Sequence, residues 1–209
     1  MEIRDKLSFK NGEEYLKKNH PKELEDIYES VKKIDISKAL SKESHEKKKQ
    51  SLLFSPINMN VQLKKELLKR NWKQKRISFN DDSPAFREID GIKNKVGLEI
   101  QFGKYAFMAY DIFSKMPIFK KKNLINCGIE LVLSHSMIKH MSTGVSSFRQ
   151  IKLDIEARGA SELDIPTLIL GFECSKKDWD LVQKIREGFK IGKKSKKVGL
   201  KGNKPGPKK

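Results

Sequence analysis

The chain has 209 residues, of which 45 are lysine or arginine and 27 are aspartate or glutamate, so its formal net charge is +18. With 37% hydrophobic residues it can form the core of one large domain or of two small ones, and one domain is the simpler expectation. No apolar run approaches the roughly 20 residues of a membrane-spanning helix, which excludes a helical membrane protein. The positive charge indicates a polyanionic partner such as a nucleic acid, because contacts to phosphates release counterions.

The two ends of the chain and its cysteines bear on location and domain organisation. Residues 1–15 contain acids and lack the apolar stretch of a signal peptide, so a cytoplasmic protein is expected. Cys127 and Cys174 lie in apolar, strand-like runs, which predicts two buried, reduced thiols rather than a disulfide. Residues 190–209 are rich in lysine and contain no acids, so we expect one domain over 1–189 followed by a basic, disordered tail.

The first third of the chain favours helices. Residues 11–34 have helical periodicity with a break at Pro21, a residue that fits the first turn of a second helix. The charged segment 37–50 is either a mobile loop or a solvated helix. A turn is predicted over 52–60, and an amphipathic helix with a basic outer face follows over 60–72.

From about residue 85 the apolar period changes to two, and strands begin to alternate with helices. Strands are predicted over 86–94, 95–102, 123–135 and 165–174, and helices over 104–116, 148–159 and 178–189, with Pro117 ending the first of these helices. This order predicts an α/β fold with a mixed central β-sheet flanked by helices on both faces.

Two acids mark the first two of these strands. If the hairpin turn is centred on Asn94 and Lys95, Asp90 and Glu99 face each other with Cβ atoms roughly 4.5–5.5 Å apart, and Gln101 shares the face of Glu99. Opposed carboxylates destabilise a hairpin unless a cation compensates them, and hard divalent cations prefer oxygen ligands. Alternatively, Asp90 belongs to an Asp-Gly turn and Glu99 is an exposed residue in a surface salt bridge.

The spacing of these residues resembles a known nuclease motif. Asp90 followed after eight residues by Glu99-Ile100-Gln101 is similar to the PD-(D/E)xK motif, with glutamine in the place of the usual lysine. The longer stretch EIQFGKYAFMAYDIF, residues 99–113, resembles the core of type II restriction endonucleases of the BglII/BstYI group. The resemblance extends upstream to NGEEYLKKNHP and downstream to about residue 172, and it leaves out the basic tail.

The resemblance implies a restriction-endonuclease-like core in a prokaryotic, cytoplasmic homodimer with no membrane partner. Such an enzyme hydrolyses double-stranded DNA at a short palindrome containing GATC and leaves 5′-phosphate ends with a 5′ overhang. It implies that Asp90, Glu99 and the Ile100 carbonyl bind Mg²⁺, and that Gln101 orients the attacking water. Because an amide does not titrate, Gln101 cannot be the general base, and the identity of that base stays open.

Residues for DNA contact follow from the same resemblance. Lys104 directly follows the second strand, where it can donate to a guanine or hold a phosphate. A loop of small and hydroxyl residues suits groove contacts, although its last serines can instead cap the following helix: Ser142, Thr143, Gly144, Ser146 and Ser147. Two other functions remain open, namely a nuclease of the same fold in repair or on branched DNA, and a basic nucleic-acid-binding protein without catalysis.

Overall fold

The computed structural model describes residues 1–44, 52–78 and 85–201, with side chains described as far as Ile191. The elements in chain order are β1 (Glu2–Phe9), α1 (Gly12–Asn19), α2 (Pro21–Lys32), α3 (Ile36–Ala39), β2 (Lys42–Glu43), β3 (Leu52–Leu53), α4 (Pro56–Lys69), β4 (Lys73–Ser78), β5 (Phe86–Lys93), β6 (Val96–Ile100), α5 (Ala106–Tyr110), a π-helical turn (Asp111–Lys115), α6 (Met116–Lys121), β7 (Cys127–Leu133), a 3₁₀ segment (His135–His140), α7 (Phe148–Arg158), β8 (Thr167–Glu173) and α8 (Lys176–Lys201).

Six strands form one central sheet in the order β1-β8-β7-β6-β5-β4. Strands β6, β7 and β8 are parallel, while β1 pairs with β8, and β5 with β6 and β4, in antiparallel fashion. The mixed α/β sheet with flanking helices is therefore confirmed. In the part of the chain that the structure describes, no helix is both long and apolar enough to cross a membrane.

The two faces of the sheet differ in chemistry. One face is continuously apolar, because Leu98 of β6, Leu131 of β7 and their neighbours pack with residues of α1, α2, α4 and α8. The other face carries smaller apolar clusters beneath α5, α6 and α7. Between these clusters lie two acids of the central strands, Glu99 and Glu130, both of them buried. The second face therefore has a polar centre, which burial alone does not favour.

The hairpin of β5 and β6 has the predicted register. Gly91 pairs with Leu98, Ile92 with Gly97 and Lys93 with Val96. Asn94 and Lys95 form the turn with φ angles of 46° and 67°. A two-residue turn with positive φ at both positions matches the twist of the strands, and asparagine is one of the residues that tolerate this geometry. Asp90-Gly91 is therefore not the hairpin turn.

Several other expectations are corrected. The helix predicted over 104–116 does not end at Pro117, because α5, the π-helical turn and α6 follow one another without a break and Pro117 lies inside this helical run. Pro56 begins α4, so the turn expected over 52–60 is shorter. Helix α8 extends to Lys201, and the assignment of 190–209 as a basic tail stays a prediction. Residues 45–50 of the charged connector and 202–209 of the tail lie outside the described residues.

Candidate active site

An open cleft of about 350 Å³ lies beyond the last paired residues of the β5–β6 hairpin. The hairpin contributes Asp90, Glu99, Ile100 and Gln101 to its wall. Across from them, α5 and the π-helical turn contribute an aromatic residue, an acid and a base: Tyr110, Asp111 and Lys115. The structure thus brings together all the residues that the sequence assigned to catalysis and metal binding, and it adds a helical wall that the sequence did not reveal.

Asp90 is directed by an irregularity in its strand. Strand β5 has one extra residue relative to β4, because Lys73 pairs with Ile92 while Lys75 pairs with Ile89. Such a β-bulge changes the direction of a side chain and is common beside active sites. Asp90 Oδ2 accepts the backbone N–H of Ile100 at 2.9 Å, so the carboxylate is fixed against the end of β6. Its Oδ1 lies 2.6 Å from Lys64 Nζ of α4.

Glu99 is buried, with 4% of its surface exposed, so the alternative of an exposed surface salt bridge is wrong. Its Oε1 lies 3.0 Å from Lys115 Nζ, and the same ammonium lies 2.6 Å from Asp111 Oδ1. One lysine thus contacts two buried carboxylates. Each of these two hairpin acids has a lysine partner, Lys64 for Asp90 and Lys115 for Glu99.

The start of α6 packs closely on the sheet beside Lys115. Gly128 lies two residues before Glu130 on the same face of β7. A Cβ atom on Gly128 would overlap Met116 Sδ, so any larger residue would require the methionine side chain to move. The glycine thus leaves room for Met116, the residue that directly follows Lys115.

Glu130 is a further acid beside the cleft that the sequence reasoning missed. It pairs with Glu99 in the parallel register of β6 and β7, so the two side chains are neighbours on one face. Glu130 is fully buried, and neither of its carboxyl oxygens has a hydrogen-bond partner among the described residues. The sequence did contain a signal for Glu130, because burying an acid in the middle of the apolar run CGIELVL costs stability and is unexpected without a function.

The buried acids of the cleft change one another's pKa values. Burial, together with the Asp111 and Asp90 carboxylates, raises the pKa of Glu99 to about 9, and Lys115 opposes that rise. Burial raises the pKa of Asp111 to about 6, again against Lys115. Burial and the same neighbouring acids raise the pKa of Glu130 far above its ordinary value. Burial lowers the pKa of Lys115, but the carboxylates of Glu99 and Asp111 outweigh this effect and raise that pKa above its usual range. The cluster therefore has more acids than its lysine can neutralise.

The donors in the cleft fit a hard divalent cation. Among the described residues, no three acidic, histidine or cysteine side chains are grouped as a complete metal site. Asp90, Glu99 and the Ile100 carbonyl supply oxygen donors, and Mg²⁺ typically uses one or two carboxylates and completes its shell with water and phosphate. The raised pKa of Glu99 and the unpartnered oxygens of Glu130 also indicate a local excess of acid that a cation would relieve.

The residues assigned to DNA contact lie together beside this cleft. Gln101 is partly exposed, and its Oε1 accepts the Gly103 N–H at 3.1 Å. Lys104 is exposed and forms an isolated antiparallel bridge with Val145. Thr143 and Gly144 are exposed as well, and Ser142 is partly exposed. The loop that carries these three residues is therefore held next to the segment that follows β6.

Ser146 and Ser147 have a different environment from the rest of that loop. Both are buried, at 0% and 1% exposure. The Ser146 hydroxyl donates to the Gly103 carbonyl at 2.9 Å. Ser147 caps α7 in a capping box with Gln150, whose Oε1 accepts the Ser147 N–H at 2.9 Å. Their side chains thus hold the loop in place, as the helix-capping alternative predicted.

Comparison with known proteins identifies the class. The family model for restriction endonuclease BglII/BglIII matches residues 4–172. The chain therefore belongs to the BglII/BglIII restriction endonuclease family and is a type II site-specific deoxyribonuclease.

Solved structures show the same fold. The crystal structure of restriction endonuclease BglII complexed with a DNA 16-mer is similar with a TM-score of 0.67 at 22% identity, covering 84% of this chain and 80% of that one. Free BglII gives a TM-score of 0.61 at 21% identity, covering 84% and 81%. Curated protein sequences contain no match to this chain.

Proposed function

We propose that this enzyme hydrolyses double-stranded DNA in an Mg²⁺-dependent reaction at a short palindrome containing GATC, leaving 5′-phosphate ends with a 5′ overhang. The observation that carries the proposal is the convergence of Asp90 and Glu99, with Gln101 beside them, in one open cleft. The net charge of +18 favours a polyanionic substrate, and the similar BglII structure contains DNA. A palindrome cut on both strands requires two equivalent sites, so we propose a homodimer.

Asp90, Glu99 and the Ile100 carbonyl are the proposed ligands of Mg²⁺. When bound, the cation would neutralise the charge that develops on the phosphate and would lower the pKa of the attacking water. The hydrogen bond from the Ile100 N–H to Asp90 fixes one carboxylate before substrate arrives. Such preorganisation removes the cost of orienting this donor during the reaction.

Gln101 is proposed to orient the attacking water. Its Oε1 is held by the Gly103 N–H, which leaves the amide NH₂ group available to donate. An amide does not titrate, so the proton of the water must pass to another acceptor, such as a neighbouring phosphate oxygen or bulk hydroxide. Lys115, in contact with Glu99, keeps that carboxylate closer to its ionised, ligand-competent form.

DNA contacts are proposed for the exposed part of the loop and for the lysine beside it. Ser142, Thr143, Gly144 and Lys104 are the candidates for groove or phosphate contacts. Ser146 and Ser147 are proposed to act indirectly, because their buried hydroxyls position the loop against Gly103 and α7. A loop that is positioned by rigid elements suits sequence recognition.

Digestion of plasmid and phage DNA tests the proposal. In Mg²⁺ we expect discrete fragments, with sequenced ends that share a GATC-containing palindrome, and no cleavage when EDTA removes the metal. Light scattering should give a dimer. Random ends, or cutting confined to branched DNA, would support the repair-type nuclease instead, and binding without any hydrolysis would support a non-catalytic binding protein.

A further inference from the structure

A second cavity, of about 470 Å³, lies between the 3₁₀ segment and α8. None of its lining residues belongs to the catalytic cleft. Val182 and the neighbouring Trp179 attach α8 to the apolar face of the sheet, whereas the catalytic acids lie on the other face. The volume falls within the roughly 300–1,000 Å³ typical of ligand pockets.

The cavity is lined by a buried cation that forms no ion pair within the part of the chain that the structure describes. Arg186 is 8% exposed, its Nε donates to the Leu52 carbonyl at 3.1 Å, and its Nη1 donates to His140 Nδ1 at 3.2 Å. Its Nη2 has no hydrogen-bond partner among the described residues. Its two partners are a carbonyl oxygen and an imidazole nitrogen, so within the described ranges no carboxylate is hydrogen bonded to the buried guanidinium. Burial accordingly lowers the pKa of Arg186. A buried, unpaired charge is unfavourable, which an anionic ligand would correct.

The rest of the lining is also predominantly basic. Lys139 and Lys190 are both exposed at the cavity, against a single acid, Glu187. The lining also includes two aromatic rings, His140 and Trp179, whose centroids lie 4.4 Å apart. A guanidinium with flanking ammonium groups is the arrangement that recognises phosphate, and an aromatic wall accommodates a sugar or base.

We propose that this cavity is a phosphate-binding subsite, in which Arg186, Lys139 and Lys190 hold a phosphate ester of a nucleic-acid backbone or of a free nucleotide. The 3₁₀ segment that carries Lys139 and His140 leads directly into the Ser142–Ser147 loop, which joins the cavity to the proposed DNA-contacting surface. That the phosphate belongs to a DNA backbone rests on the proposed function. That the cavity binds phosphate at all does not.

The test uses the full-length protein without metal, so that no cleavage occurs. Inorganic phosphate and deoxynucleoside 5′-monophosphates are titrated by calorimetry. The salt dependence of binding is measured for two duplexes, one short and one extended on both flanks. The Lys139→Ala/Lys190→Ala double variant is compared with Lys184→Ala. Lys184 is an exposed lysine of α8, the helix of Lys190, and it does not line the cavity. Arg186→Lys is a further variant, and circular dichroism checks the fold of each.

Two results support the subsite and identify its ligand. If the source is a free nucleotide, the wild type binds the monophosphate and the double variant binds it at least about tenfold more weakly. If the source is the backbone, the salt slope for the extended duplex decreases by about 0.9 per lost contact in the double variant, and the slope for the short duplex does not. Equal behaviour of the double variant and Lys184→Ala with every probe overturns the proposal.

Cleavage of the short duplex in Mg²⁺ is measured in parallel with every variant. A failure of the wild type to cleave would contradict the proposed function and leave the phosphate titration intact. Conversely, normal cleavage with identical titrations of the double variant and Lys184→Ala would contradict only the subsite.

Discussion

Glu130 lies directly beside Glu99 across the parallel pair of β6 and β7, fully buried and with neither carboxyl oxygen hydrogen bonded among the described residues. Two adjacent acids in a nonpolar environment cannot both ionise at low cost. Asp111 and Asp90 add to this repulsion, and Lys115 relieves only part of it. The protein thus maintains a destabilising group of acids at the cleft where we propose that a cation binds.

This arrangement predicts that the metal-free protein loses stability as the pH rises. The pKa of Glu99 is about 9 in the folded chain against an ordinary value of 4.5, so the folded state holds this proton more tightly than the unfolded state does. The stabilisation that comes from protonated Glu99 is fully present below pH 4.5 and is lost as the pH rises towards 9. Urea unfolding in EDTA from pH 5 to pH 9 measures the decline. The decline should be shallower in Glu130→Gln, and an identical slope would contradict the account.

Lys115 should be important both for stability and for metal affinity. Replacement by methionine leaves Glu99 and Asp111 buried without their cation, and breaking a buried ion pair typically costs about 3–5 kcal/mol. The pKa of Glu99 should rise further, so that Mg²⁺ binding requires a higher pH. Chemical unfolding and metal titration measure the two effects. Lys115→Arg should retain most of the stability, and Lys121→Met, an exposed lysine of the neighbouring helix, should have almost no effect. A loss of equal size in Lys121→Met would argue against a specific role.

Gln101 should affect the rate rather than the affinity for DNA. If its amide orients the attacking water, Gln101→Ala should lower kcat by about 10²-fold, because misplacement of a reactant has costs of this order. The pH–rate profile should keep its shape, since glutamine contributes no titrating group. Single-turnover cleavage combined with equilibrium binding separates the two effects. A changed acidic limb of the profile would mean that Gln101 acts through a titrating neighbour instead.

The serine-rich loop should divide into residues that contact DNA and residues that support the loop. Ser146→Ala removes the hydroxyl donor to the Gly103 carbonyl, which still accepts the Ser146 N–H, and should cost about 0.5–1.5 kcal/mol of stability. Ser142→Ala should change stability very little but weaken DNA binding. Thermal melts and binding assays on the same two variants distinguish these roles. The assignment is wrong if both variants lose stability equally.

The hairpin could be predicted because local chemistry determines it. The Asn94-Lys95 turn and the alternation of Val96, Leu98 and Ile100 set the register without long-range information. The apolar strands β7 and β8 follow from their composition in the same way. Strand β4 was missed, because an edge strand with mostly charged, exposed residues has no apolar pattern to detect.

The helical wall of the site could not be predicted from periodicity. Lys115 faces Glu99 through a π-helical turn, and this local change of period makes its direction unpredictable from a regular helical repeat. Lys64 reaches Asp90 from α4, a contact that depends on tertiary packing alone. Glu130 could be noticed as an acid in an apolar run, but its position beside Glu99 depends on the register of β6 and β7.

The central claim is that Asp90 and Glu99 perform the cleavage, and cleavage of a cognate duplex by Glu99→Ala in Mg²⁺ tests it most directly. The account predicts that cleavage falls by at least about 10³-fold while specific binding of the duplex is retained or becomes tighter. Glu66→Ala is the matched control, because the Glu66 carboxylate pairs with Lys69 and Arg70 and does not line the cleft. Wild-type cleavage by Glu99→Ala would contradict the assignment.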